Sequence, residues 1–157
     1  RERGRERGRV TMYDRVVLDV DAALALVDAA LAAASAEVEL PIAVAVVDDM
    51  GDWVAFVRMD GTPMFHREYA RRKAYTASLM RRDLHDFAEL RTRTDLSLAD
   101  FGDPRFVGAA EGGIAIRDAA GNLLGGLGVS GATPEENELI ARAAIAATLS
   151  PTAGGEA

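Results

Sequence analysis

The sequence predicts an α+β domain in which helices cover an antiparallel sheet. Three observations carry this. Two pairs of short apolar segments are each joined by a turn of Asp, Asn and Gly residues, which reads as two β-hairpins. Stretches of helical periodicity stand before, between and after them, giving the order helix, hairpin, helix (or two), hairpin, helix. Strands do not alternate singly with helices, so a parallel, Rossmann-type sheet is disfavoured.

The elements follow in order. Leu18–Glu37 reads as a helix with Asp19 as N-cap and an apolar stripe of Val20, Ala23, Leu24, Val27, Ala30 and Leu31. Pro41 interrupts it. Ile42–Val47 is short, apolar and β-branched, Asp48-Asp49-Met50-Gly51 has turn chemistry, and Asp52–Arg58 returns as a second strand. After Asp60-Gly61-Thr62-Pro63, a helix runs from Met64 to Met80 and is basic, with Arg67, Arg71, Arg72 and Lys73 against Glu68 alone. Asp83–Arg91 reads as a further short helix, and Thr92–Ala110 as a long loop with one turn of helix; a loop of that length in a compact domain is often functional. Gly113–Arg117 and Leu123–Val129 form the second hairpin around Asp118–Asn122. The last helix, Pro134–Leu149, opens on a capping box of Thr133 and Glu136 with Pro134 at its first position.

Composition narrows the function. A chain of 157 residues suits one domain, expected over residues 13–150 between a charged disordered start, 1–12, and a frayed end, 151–157. There is no cysteine, which excludes disulfides, thiolate chemistry and cysteine-held clusters, and two histidines, His66 and His85, are too few for a multi-histidine metal site. Residues 1–9 hold five Arg and two Glu, contributing +3 to a net charge of −7, so the remainder carries −10. An acidic body argues against general nucleic-acid binding. No apolar run is long enough to span a bilayer and none resembles a signal peptide, so the expectation is a cytoplasmic protein without a membrane partner.

Several residues could carry chemistry. Arg58, at a strand end beside Met59 and Asp60, suits a bidentate grip on a carboxylate or a surface ion pair with Asp60. Lys73, on the less polar side of its helix near Thr76, could bind an anion, act as a base, or lock helix to sheet. Glu111 precedes Gly112 and Gly113, whose bare backbone lets a ligand approach; it could be a general base or a turn residue. The run Gly125-Gly126-Leu127-Gly128-Val129-Ser130-Gly131 feeds the last helix, which favours an anion, or close packing across the strand. His66 could be a proton shuttle or an exposed residue. Tyr75, Phe101 and Phe106 could line a pocket wall or fill the core.

Four segments in order carry a family resemblance: Ile42–Asp48 with Gly51, Phe56–Gly61, Lys73–Ala77, and Glu111–Ile116 with Gly125–Gly131. Together they resemble the GlcG/HbpS-like family, which includes the C-terminal domain of PduO-type proteins, over roughly Val17 to Leu149. The resemblance implies a five-stranded antiparallel sheet of profilin or PAS type, homo-oligomers, and a small anionic ligand, haem among the candidates, with no other cofactor indicated. It also implies that Arg58, Lys73 and Glu111 come together, with Arg58, Lys73 and Gly128–Gly131 holding acid groups. Three functions fit: a ligand-binding protein, a cofactor-independent isomerase, lyase or hydratase using Glu111, Lys73 and Arg58 on a small organic acid, or a non-catalytic accessory oligomer. The chain departs from the family's pattern in its charged helix start, His66–Arg72, in Glu135-Glu136-Asn137-Glu138, and in having no position that matches the N-terminal haem-ligand histidine of the secreted haem-binding branch, which leaves His66 as a weak candidate haem ligand.

Overall fold

The computed structural model describes residues 12–149. The expected charged start, apart from Met12, and the expected frayed end lie outside the described residues. The order is α1 (Val20–Glu37), β1 (Ala43–Asp48), β2 (Trp53–Arg58), α2 (Met64–Leu79), α3 (Leu84–Thr94), a 3-10 turn (Leu98–Phe101), β3 (Gly113–Arg117), β4 (Leu123–Ser130) and α4 (Pro134–Leu149). The strands form one antiparallel sheet in the order β2-β1-β4-β3.

The resemblance implied five strands, and the described residues contain four. The long connection between α3 and β3 supplies none, because local geometry bends it. Asp95 and Gly102 take left-handed backbone, with φ of +54° and +68°. Ser97 and Asp100 form a reciprocal capping box around the 3-10 turn, and Pro104 has no N–H for a ladder.

Both hairpins turn on an aspartate. Asp48 Oδ1 accepts from the N–H groups of Met50 (2.8 Å) and Asp52 (3.0 Å). Asp118 Oδ1 accepts from Ala120 (3.0 Å) and Asn122 (2.8 Å). These side-chain bonds add to the backbone turn bonds of Gly51 N to Asp48 O (3.1 Å) and Gly121 N to Asp118 O (3.0 Å).

The sheet has a helix layer on each face. On one side Ala23, Leu26, Val27, Ala30 and Ala34 of α1 meet Ile140, Ala141 and Ala144 of α4 over Val44, Val46, Ile114, Ile116, Leu127 and Val129. The buried stripe of α1 differs from the expected one. Val20 and Leu24 are exposed, while Leu26 and Ala34 are buried. The alanine-rich sequence left the phase ambiguous, and the small residues settle against the sheet and α4. On the other side α2 packs on β1 through small side chains, Ala70 and Ala74 against Ala43, Ala45 and Val47, and on β4 with almost none between. A Cβ on Gly128 would stand 1.9 Å from Ala70 O, and one on Gly126 2.0 Å from Ala74 O. These glycines bring α2 down so that Lys73 sits against the sheet. Among the described residues no helix is long and apolar enough to cross a membrane.

Candidate functional site

The site lies where α2, the end of β4, the start of α4 and the residues before β3 converge. A cavity of about 240 Å³ is lined there by Phe65, His66, Tyr69, Lys73, Glu111 and Asn137, among others. His66, Tyr69 and Lys73 recur at helical spacing along one side of α2. Ser130 reaches the cavity from the last position of β4, and Ala132 and Pro134 from the entry to α4.

Lys73 is the most informative group. Its residue is only 3 % exposed, and Nζ donates to the carbonyl oxygen of Val129 at 3.0 Å. The ammonium lies 5.1 Å from the centre of the Tyr69 ring. An ammonium has three donors, and among the described residues this is the one hydrogen bond it makes to protein. Burial lowers its pKa from 10.5 to about 8, against the opposing pull of the carboxylates of Glu111 and Glu138.

His66 Nδ1 and Ser130 Oγ are 2.8 Å apart, which fixes the imidazole ring and leaves Nε2 as its other functional atom. Phe65 stacks on Tyr69 with ring centres 4.9 Å apart, forming a flat apolar wall beside the polar groups. Asn137 closes the base. Its Oδ1 accepts from Ala132 N (3.2 Å) and its Nδ2 donates to Ala132 O (3.1 Å), holding the entry to α4. The capping box there is formed as expected: Glu136 N donates to Thr133 Oγ1 (3.2 Å), and Thr133 N to Glu136 Oε2 (3.0 Å).

A charged network stands behind the cavity. Glu138 Oε2 accepts from Gly112 N at 2.6 Å, and its Oε1 pairs with Arg142 at 2.7 Å. Arg142 continues to Asp83 at 3.1 Å, whose other oxygen accepts from Ala115 N at 2.9 Å. Gly112 is required where it stands: its φ is +80°, and a Cβ would lie 2.7 Å from Val129 O and 3.0 Å from Lys73 Nζ.

Of the residues singled out from the sequence, Lys73, Glu111, Ser130 and His66 meet at this cavity, with Gly112 beside them. The others lie elsewhere. Arg58 is exposed at the end of β2, in a cross-strand row with Ala43 and Ser130, two strands from the cavity. Met59 packs on the α1–α4 core, its sulfur accepting from Ile42 N at 3.5 Å, and Asp60 is an exposed turn residue. Thr76 is buried and bridges α2 to the loop, donating to Arg72 O (2.7 Å) and accepting from Val107 N (3.1 Å). Gly113 packs against Leu84, Gly128 against α2, and Gly131 against Pro41. Phe101 and Phe106 cluster with Phe87, and Tyr75 with Phe106, away from the cavity. His85 is exposed, 3.3 Å from Glu89. Phe65 was not singled out, and Tyr69 and Glu138 were named only within departures from the family's pattern. The spacing of His66, Tyr69 and Lys73 on one helix face was the available signal for Tyr69.

The profile described as "Haem degrading protein HbpS-like" matches residues 18–146. Three crystal structures share the fold over most of the chain. A PduOC–haem complex is 30% identical, covers 84% of this chain and 95% of its own, and has a TM-score of 0.75. HbpS is 29% identical, with 89% and 95% covered and a TM-score of 0.77. A double mutant of HbpS from Streptomyces reticuli is 26% identical, with 93% and 97% covered and a TM-score of 0.77. A 15.0 kDa protein of the dhaT-dhaS intergenic region of Citrobacter freundii is 27% identical over 117 residues, 74% of this chain and 82% of that protein. With the profile spanning all four strands and most of α4, the chain belongs to the haem-degrading HbpS-like family.

Proposed function

We propose that this protein binds a small carboxylate-bearing molecule, haem or another flat acid, in the cavity between His66, Lys73 and Glu111. The observation that carries this reading is Lys73: a buried ammonium lining a cavity, with one protein hydrogen bond and donors to spare. Such a group favours an incoming anion, because a carboxylate restores what burial removed. The Phe65–Tyr69 wall suits a flat apolar body behind the acid group.

The residues fit haem along one edge. Lys73 would hold a propionate, and His66, its ring fixed through Ser130, would offer Nε2 to the iron. A volume of about 240 Å³ accepts an edge or a small acid, below the roughly 300–1,000 Å³ of sites that enclose a drug-sized ligand. The exposed Phe65 ring would offer an apolar surface to the part of the ligand outside the cavity. When bound, haem would supply iron for ligand-binding or redox chemistry. The relatives support haem as the first ligand to test: one is solved as a haem complex, and the family is described as haem-degrading.

The test is titration of the purified full chain with haem, followed by absorbance, beside Lys73→Ala and His66→Ala. A saturable, shifted Soret band weakened in both variants supports haem. Without a specific band, haem is withdrawn and small carboxylic acids are titrated next by calorimetry.

A second reading is favoured by the lowered pKa of Lys73. Near 8, the amine can give and take a proton at neutral pH. With Glu111 on the same cavity, it would support cofactor-independent proton transfer on a small acid, in an isomerisation, hydration or elimination. Arg58 lies away from the cavity, so Lys73 alone would stabilise developing negative charge. Deuterium uptake from solvent into candidate acids, absent in Lys73→Ala and Glu111→Gln, is the readout.

A further inference from the structure

The two edges of the sheet are treated differently. The β3 edge is tied to the segment before α3: Asp83 accepts from Ala115 N, and the Arg117 side chain donates to the carbonyl of Arg81 at 2.6 Å. The β2 edge is not. β2 pairs with β1 alone, and among the described residues Trp53–Arg58 make no hydrogen bond beyond that ladder. An antiparallel strand turns about half its N–H and C=O groups outward, so β2 presents an unfilled template for another strand.

The side of β2 facing α2 adds chemistry to this template. Trp53 is 45 % exposed and meets Phe56 edge-on at 5.4 Å. With Val54, Ala55, Arg67 and Glu68 they line a groove of about 340 Å³. The Arg71 guanidinium stands 5.0 Å from the centre of the Trp53 ring. The Nε atoms of both Arg67 and Arg71 are buried without a hydrogen-bond partner. Glu68 approaches each guanidinium only to 3.8 Å, beyond hydrogen-bond reach. The chain as a whole carries −7, so two under-used guanidiniums beside an open apolar strand stand against its general charge.

We propose that the outer edge of β2, together with Arg67 and Arg71, docks an extended acidic segment of another protein, which adds as a strand beside β2 and sets its carboxylates on the two guanidiniums. Backbone pairing would give affinity and the arginines selectivity, as in strand addition generally. A second copy of this chain matches less well. Trp53–Arg58 itself contains no carboxylate to set on the arginines in a β2–β2 pairing. The proposal is independent of what the Lys73 cavity binds.

The test uses the full chain and a fluorescein-labelled peptide of alternating Val and Glu, seven residues long, read by fluorescence anisotropy. Its controls are the alternating Val and Lys peptide and a Val and Glu peptide with N-methylated backbone. The expected result is saturable binding of the Val/Glu peptide alone. Arg67→Glu with Arg71→Glu should weaken it by at least about tenfold and confer binding of the Val/Lys peptide. Both side chains are partly exposed, so the variant should fold, and its circular dichroism spectrum is checked against the wild type before binding is read. Absence of saturable binding, equal binding by the variant, or equal binding of the N-methylated peptide would overturn the proposal. So would a self-association, seen by sedimentation velocity, that excludes the peptide: the edge would then belong to a second copy.

Discussion

Lys73 Nζ lies 3.0 Å from the carbonyl oxygen of Val129, so the buried ammonium of α2 is tied to β4 at the floor of the cavity. Its pKa is about 8 in the folded chain and near 10.5 when free. Between those values the unfolded chain holds a proton that the native state has released. Stability attributable to this group therefore rises with pH through the window and is flat below it. Relative to Lys73→Met, which keeps the length and removes the charge, the wild type should gain roughly 3 kcal/mol across the window. Urea unfolding of both proteins at either end of the window measures it.

Glu111 and Glu138 oppose that shift, so neutralising either should lower the pKa of Lys73 further. Glu111→Gln and Glu138→Gln are the variants, and an NMR titration of the Lys73 side chain is the readout. Glu138→Ala should also cost about 1–3 kcal/mol, because it leaves Gly112 N–H without its acceptor.

Gly128→Ala should prevent folding or destabilise by more than about 3 kcal/mol, since its Cβ would meet backbone atoms of α2. Gly102→Ala is the contrast. Its φ of +68° is strained for alanine, but nothing lies within 4 Å, so a loss of about 1 kcal/mol is expected. Thermal melts of the two variants separate packing from backbone strain.

Arg72 donates to three successive carbonyls, those of Pro104 (2.7 Å), Arg105 (3.2 Å) and Phe106 (2.9 Å). A lysine cannot reproduce that fork. Arg72→Lys should lose about 1–2 kcal/mol and speed amide exchange over residues 102–107, followed by mass spectrometry.

Hairpins and the last helix were legible because their signals are local. Asp48 with Gly51, Asp118 with Gly121, and Thr133 with Glu136 each determine a few neighbouring bonds. The phase of α1 was not, because a run of alanines offers several equivalent faces and tertiary contact chooses among them. Lys73, Glu111, Ser130 and His66 were readable as candidates by residue type. Their meeting at one cavity depends on how closely α2 approaches β4, which periodicity does not encode. Arg58 shows the converse: a suggestive motif whose strand ends two positions across the sheet from the cavity. Glu138 and Arg142 are a local i, i+4 pair on α4, but the links from Arg142 to Asp83 and from Glu138 to Gly112 N cross to distant segments, which no local pattern announces.

Because Gly126 and Gly128 leave no cushion of side chains between α2 and β4, helix and strand meet backbone to backbone as one plate beneath the cavity. Such a plate has little room to reshape itself for a new occupant. Adaptation to different molecules would have to be written around the rim, in residues 109–111 and 132–137, while the floor stays constant. A screen for altered ligand preference would therefore find its useful substitutions at the rim and its folding failures in the floor.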